Sequence, residues 1–220
     1  MQNVTYINIH THNTKTMPSV LSVQSLYQNF GQVGNDTICS IGLHPWHISN
    51  DTFDAQFREL EQVANADNVI AVGECGLDKI CDTDWDLQLL AFGKQIQLAK
   101  ELSKPLVIHC VRAYEEVLGL LRNSAVNVPV IFHGFNKKWQ LAEQILKQGY
   151  YLSFGTAILK EDAGARDALS KVPADKFFLE TDDSGASIID LYNAAASIRK
   201  TPPDALILQL RKNFETVFKR

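Results

Sequence analysis

The chain has 220 residues, 45% of them hydrophobic and 21% charged, and a formal net charge of -4. That is an ordinary globular composition. The acidic balance excludes a protein that coats duplex DNA through bulk positive charge, so any nucleic-acid contact has to be local.

Short apolar runs recur along the chain, and most are followed by a helical pattern. In order they are VTYINIH, SVLSVQSLY, ICSIGLH, VIAVGEC, PLVIHC, PVIFHGF, YYLSFG and FFLETDD, from Val4 to Asp183. Near-continuous apolarity predicts strands buried on both faces, as in a parallel sheet. Between them, Phe57, Leu60 and Ala64 share one helical face, as do Ala91, Leu98 and Leu102. Val117, Leu118 and Leu121 repeat the pattern. So do Leu141, Ala142 and Ile145, with Gly149 as a C-terminal stop. A last helix from about Pro203 aligns Leu206, Leu210, Phe214 and Val217. Eight strands alternating with helices predict an α/β fold, a (β/α)8 TIM barrel. The spacers after the first two strands are too short for full helices, so the barrel is expected to be trimmed there. With no repeat, low-complexity tract or linker, residues 1–220 are expected to form one domain.

The N-terminus MQNVTYINIH has no basic leader and no long apolar run, so a cytoplasmic protein with no membrane contact is expected. No obligate protein partner is evident. Cys39, Cys75, Cys81 and Cys110 form no C-x-x-C pair and are expected to be reduced, mostly packed thiols.

Ligand-type side chains gather where the predicted strands end. His10 and His12 close the first, His44 the third, Glu74 the fourth, His109 the fifth, His133 the sixth and Asp182 the eighth. Residues i and i+2 of a strand share a face, so His10 and His12 can reach one object together. In a barrel these ends converge on one rim, where active sites are built. A single histidine at a strand end is ordinarily a hydrogen-bonded boundary residue. Four of these histidines with the two carboxylates on one rim would concentrate buried polar groups, which is costly unless a cation satisfies them together. Imidazole with carboxylate suits zinc, manganese, iron or magnesium, and six ligands suit two divalent ions about 3.5–4 Å apart better than one.

The series H-x-H, G-x-H-P, G-E-x-G-L-D, two apolar strands each ending in His, and E-T-D resembles the TatD family of metal-dependent deoxyribonucleases, within the amidohydrolase superfamily. The resemblance runs from Ile7 to about Asp183. It implies one ion on His10, His12, Glu74 and Asp182, and a second on Glu74, His109 and His133, with Glu74 bridging. It also implies that Asp182 holds or deprotonates the attacking water, and that His44 is a supporting residue or a phosphate contact. The implied reaction is hydrolysis of DNA phosphodiesters, often from a 3′ end. Arg112, Lys137 and Lys138 follow strand ends and are candidates for holding the substrate backbone; Lys79 and Lys160 are placed similarly. Trp46, Trp85 and Trp139 lie in or beside loops, where one could stack a base or pack against the barrel.

Three positions depart from the family pattern. Lys79 and Ile80 follow G-L-D where aromatics are usual. Arg112 comes three residues after His109 rather than two. After E-T-D the chain reads DSGASIIDLYNAAASIRK in place of Ala-Pro and a basic stretch. A substrate-binding element is therefore shortened or replaced, while the ligand series is intact. A metallohydrolase of another small phosphoester, amide or lactone, or a non-catalytic metal-binding relative, are the alternative readings.

Overall fold

Eight parallel strands follow one another in sheet order from first to last in a computed structural model that describes residues 6–15, 17–30, 34 and 37–220. They are β1 (Tyr6–Thr11), β2 (Val20–Leu26), β3 (Cys39–Ile41), β4 (Val69–Asp78), β5 (Leu106–Val111), β6 (Val130–Phe132), β7 (Tyr151–Phe154) and β8 (Phe177–Leu179). The helices are α1 (Phe53–Val63), α2 (Trp85–Leu102), α3 (Tyr114–Asn123), α4 (Trp139–Lys147), α5 (Gly164–Lys171), α6 (Ile188–Arg199) and α7 (Pro203–Phe218). This is the expected (β/α)8 barrel. Among the described residues, no α-helix separates β1 from β2 or β2 from β3. Val4 and Thr5, which open the first apolar run, lie outside the described residues.

Two differences from the sequence pattern matter for the site. β4 does not end at Glu74 but runs on to Asp78, with all ten residues buried. β5 likewise continues past His109 to Val111. Glu74 and His109 are thus inside strands rather than at their ends. Helices α5 and α6 also go beyond the helices read from the sequence. The buried face of α5 relies on small residues, Ala165 and Ala168 beside Leu169, so its apolar stripe is faint, whereas α6 buries Ile188, Leu191 and Tyr192.

The chain divides into two compact units, residues 1–24 with 131–220, and residues 25–130. In the first, buried Tyr192 of α6 clamps β1: its hydroxyl accepts from the Ile7 N–H at 3.1 Å and donates to the Ile7 carbonyl at 3.2 Å. Asn213 of α7 donates to the carbonyls of Ala174 and Phe177 at the entry to β8. In the second unit, α2 carries two buried glutamines that meet backbone groups otherwise left without partners. Gln95 bonds both N–H and C=O of Leu43, next to His44, and Gln88 does the same for Asp78. A helix on the outside of the sheet thereby fixes two site-bearing segments.

No helix among the described residues is long and apolar enough to cross a membrane. The four cysteines are all free thiols. Burial raises Cys39 to about 11 and pushes Cys75 higher still, with the charge of Glu74 adding to the second effect. Both are therefore protonated and shielded at neutral pH, and the thiolate is the reactive form. In the folded protein, alkylation should reach the half-buried Cys81 and Cys110 first. Cys39 and Cys75 should label only in denaturant. Peptide mapping after timed labelling checks this, and rapid labelling of Cys75 in the native protein would contradict it.

Candidate metal centre

The first unit brings His10, His12, His133 and Asp182 together. The segment after β8 pairs with the end of β1: the Asp182 N–H donates to the His10 carbonyl at 3.0 Å, and the Asp182 carbonyl accepts from the His12 N–H at 3.1 Å. The Thr11 hydroxyl donates to the same carbonyl at 3.1 Å. Asp182 has a left-handed backbone, φ +53°, which Asp tolerates better than most residues. Its position is thus set by main-chain bonds, leaving the carboxylate to act. Asp182 Oδ1 lies 3.5 Å from His10 Nε2 and 3.5 Å from His12 Nε2. The three side chains offer donor atoms within 4.8 Å of one another. The ring of His10 also lies 4.3 Å, centroid to centroid, from that of His133.

Below this group is a buried polar ladder. Asn8 Nδ2 donates to Thr181 Oγ1 at 2.8 Å, while Asn8 Oδ1 accepts the Thr181 N–H at 3.1 Å. The Thr181 hydroxyl donates onward to that of Thr11 at 3.1 Å. Glu180, fully buried, accepts from the Gly134 N–H at 2.7 Å and lies 3.2 Å from His133 Nδ1. Each member of E-T-D therefore has its own task. Glu180 orients His133, Thr181 ties β8 to β1, and Asp182 faces His10 and His12.

The second unit brings His44, Glu74 and His109 together. Glu74 Oε1 lies 2.9 Å from His109 Nδ1 and 3.1 Å from His44 Nε2. The glycines of G-E-C-G explain how. Gly76 has φ +147°, and a Cβ there would collide with the carbonyl oxygen of His109, its register partner on β5. Gly73, at φ +136°, stands in the same relation to Val107. Only glycine lets β4 come this close to β5.

Asp78, four residues past Glu74, shares its face of β4. It is fully buried, and its Oδ2 lies 3.0 Å from His109 Nε2 and accepts the Trp46 indole N–H at 2.7 Å. Burial opposes its charge, but hydrogen bonds from His109, the Ile80 N–H and Trp46 outweigh it and hold the carboxyl below the usual range. His109 is thus flanked by two carboxylates. A neutral imidazole donates from only one nitrogen. With Nε2–H given to Asp78, Nδ1 presents a lone pair towards Glu74, and a cation shared by the two satisfies both. The same reasoning assigns His44. Its Nδ1 accepts the Trp46 backbone N–H at 3.1 Å, so its proton sits on Nε2. His44 therefore faces Glu74 as a donor and is not set to ligate through that nitrogen.

The donor set fits a divalent ion. Bonds of about 2.1 Å in tetrahedral array put ligand atoms about 3.4 Å apart, close to the spacing around Asp182 Oδ1. Carboxylates on the far nitrogens of metal-binding imidazoles are the usual supporting arrangement, here Asp78 for His109 and Glu180 for His133. Neither was singled out from sequence, although both stand within the motifs, Asp78 at same-face spacing from Glu74.

The predicted backbone-holding residues are less concentrated. Arg112 is exposed, with φ +54°, directly after β5. Lys137 and Lys138 are exposed at the N-terminus of α4. Lys79 is engaged by Glu116 and lies over the Trp85 ring at 5.6 Å.

Comparison with known proteins accords with this geometry. An uncharacterised metal-dependent hydrolase of Buchnera aphidicola is 27% identical over 222 residues, covering 90% of this chain and 83% of that protein. A 3′-5′ ssDNA/RNA exonuclease TatD of Erwinia tasmaniensis is 32% identical over 145 residues, covering 64% of this chain and 56% of that protein. The match spans less than two thirds of the length of several of these curated relatives. Among solved structures, the TatD homologue YjjV of Escherichia coli K12 superposes with a TM-score of 0.84 at 22% identity, over 99% of both chains, which establishes the shared fold. The profile of the TatD related DNase family matches residues 2–219, nearly the whole chain, and the chain belongs to this family of metal-dependent hydrolases.

Proposed function

We propose that the protein hydrolyses phosphodiester bonds of DNA, working from a 3′ end with two divalent ions. The observation that carries this reading is the placement of Asp182 Oδ1 at 3.5 Å from both His10 Nε2 and His12 Nε2, an acid already positioned among ligand atoms. His10, His12, Glu74 and Asp182 would hold one ion; Glu74, His109 and His133 would hold the other, with Glu74 shared. Such ions lower the pKa of water towards ~7 and offset charge on phosphate oxygens.

The side chains divide the remaining work. Asp182 orients the attacking water and accepts its proton. His44, with its proton on Nε2 facing Glu74 at 3.1 Å, holds that carboxylate in place. Asp78 and Glu180 hold His109 and His133 so that their inner nitrogens stay unprotonated. Lys137 and Lys138 stand at the positive end of the α4 dipole, where cations are disfavoured for helix stability, so a role towards an anion accounts for them better. Arg112 is assigned the same backbone-holding role. The nuclease name of the Erwinia relative supports the substrate class.

The test is metal analysis of purified protein followed by assays of single-stranded DNA, RNA and small phosphodiesters with Mg, Mn or Zn restored. Stepwise shortening of DNA from its 3′ end supports the reading. Hydrolysis of small esters alone, or metal binding without turnover, contradicts it. Reversing charge at both Lys137 and Lys138 should weaken DNA cleavage and flatten its salt dependence, because each lost phosphate contact removes counterion release. Hydrolysis of a small chromogenic diester should survive. Equal losses on both substrates would show that the lysines support the fold instead.

A further inference from the structure

Trp46 combines two properties that rarely coexist. It is 56% exposed, yet three bonds fix the segment that carries it. Its indole N–H is held by the buried Asp78 carboxylate at 2.7 Å. Its backbone N–H is held by His44 Nδ1 at 3.1 Å, and it lies in a short 3₁₀ turn, Pro45–His47, closed by the His47 N–H on the His44 carbonyl. A solvent-facing indole with its polar edge already satisfied presents a rigid aromatic surface. Nothing in the folding of the second unit calls for that exposure, since burial of the same ring would stabilise the protein.

The surroundings say what such a surface would meet. Trp46 lies 5.1 Å from the ring of His44 and 5.9 Å from that of His109, edge to face in both cases. The other oxygen of Asp78 accepts the N–H of Ile80, whose side chain is 59% exposed. One carboxylate thus anchors two exposed apolar residues and one proposed metal ligand. Ile80 follows the motif G-L-D at a position where the sequence departs from the family pattern.

We propose that Trp46 is a base-stacking platform that binds a nucleobase of the substrate strand next to the scissile phosphate. The inference rests on the nuclease reading for the identity of the ligand. Stacking on an aromatic face tolerates every base, because each has a π face, and it requires the base to be unpaired. The platform therefore selects single-stranded ends over duplex and confers little sequence preference.

Two variants separate stacking from the hold on Asp78. Trp46→Phe and Trp46→Ala both lose the indole N–H, but only phenylalanine keeps a ring. The substrates are a single-stranded oligonucleotide and the same strand with an abasic residue in place of each of the two nucleotides flanking the scissile phosphate. The expected result is that kcat/KM on the intact strand is about tenfold higher for Trp46→Phe than for Trp46→Ala, mostly through KM, and that the two variants are equal on the abasic strand. Equal rates on both strands would overturn the platform and leave Trp46 as a support for Asp78 and His109. A binding readout keeps this independent of turnover. Titrating the metal-loaded protein with deoxynucleoside monophosphates should quench tryptophan fluorescence in the wild type and not in Trp46→Phe. Quenching without cleavage of any oligonucleotide would retain the platform and remove the nuclease reading. Cleavage without quenching, with equal variants, would do the reverse.

Discussion

Asp182→Asn should keep its metal and lose on the order of a hundredfold or more in turnover, the scale expected for removal of a general base. The substitution is conservative in every respect but one. Asn tolerates the left-handed backbone at this position as Asp does, φ +53° here. The bonds that place the residue, from its N–H to His10 and from His12 and Thr11 to its carbonyl, belong to the main chain and survive. The amide oxygen can still face His10 and His12. What is lost is the basic carboxylate, 39% exposed at its side chain and so accessible to a water molecule. Metal stoichiometry and the pH–rate profile of wild type and variant decide the matter. Near-normal turnover with metal bound would show that Asp182 is not the base. His44 is poorly placed to replace it, because its Nδ1 lone pair is committed to the Trp46 N–H.

The strand count and the trimmed early spacers were legible because they are patterns of residue type. A doubly buried strand must be apolar along its length, and chemistry-bearing side chains then stand out against it. The extent of β4 was not legible in the same way. Gly76 lies just past the apolar run VIAVGEC, yet it is there because close strand approach forbids a side chain, so the strand runs through it to Asp78. That single misplaced boundary hid a group that several partners share. Asp78 was legible as a motif letter but not as the carboxylate that holds His109, the Trp46 indole and the Ile80 N–H. Glu180 was hidden for a related reason. An acid beside Thr181 and Asp182 looks like part of a solvated cap, and only the fold shows it fully buried against His133 and Gly134. Lys79 erred in the opposite direction: its partner Glu116 lies 37 residues on, a distance no local pattern encodes. What sequence conveys well is which donor-bearing side chains gather, and what it conveys poorly is which groups hold them in place.

Glu74→Ala should act through metal rather than through chemistry. The side chain is 5% exposed, and its Oε1 lies 2.9 Å from His109 Nδ1 and 3.1 Å from His44 Nε2. On the proposed scheme it is the one ligand common to both ions, so its removal weakens both sites together and activity falls to that of metal-stripped protein. Two melting experiments distinguish this from simple misfolding. An ion that binds only the folded state stabilises it by about 2.7 kcal/mol at a hundred times its dissociation constant. The wild type should show such a rise when Mn or Zn is added, and Glu74→Ala should show little of it. Without metal the order differs. Without the ion the buried carboxylate has only its imidazole neighbours to offset desolvation, a cost that a small apolar group in its place avoids. Metal-free Glu74→Ala should therefore melt no lower than metal-free wild type, or slightly higher. A variant that melts far lower without metal would mean that Glu74 holds β4 and β5 together structurally. One that retains both ions would remove the shared-ligand scheme and leave two independent sites, one around Asp182 and one around His109.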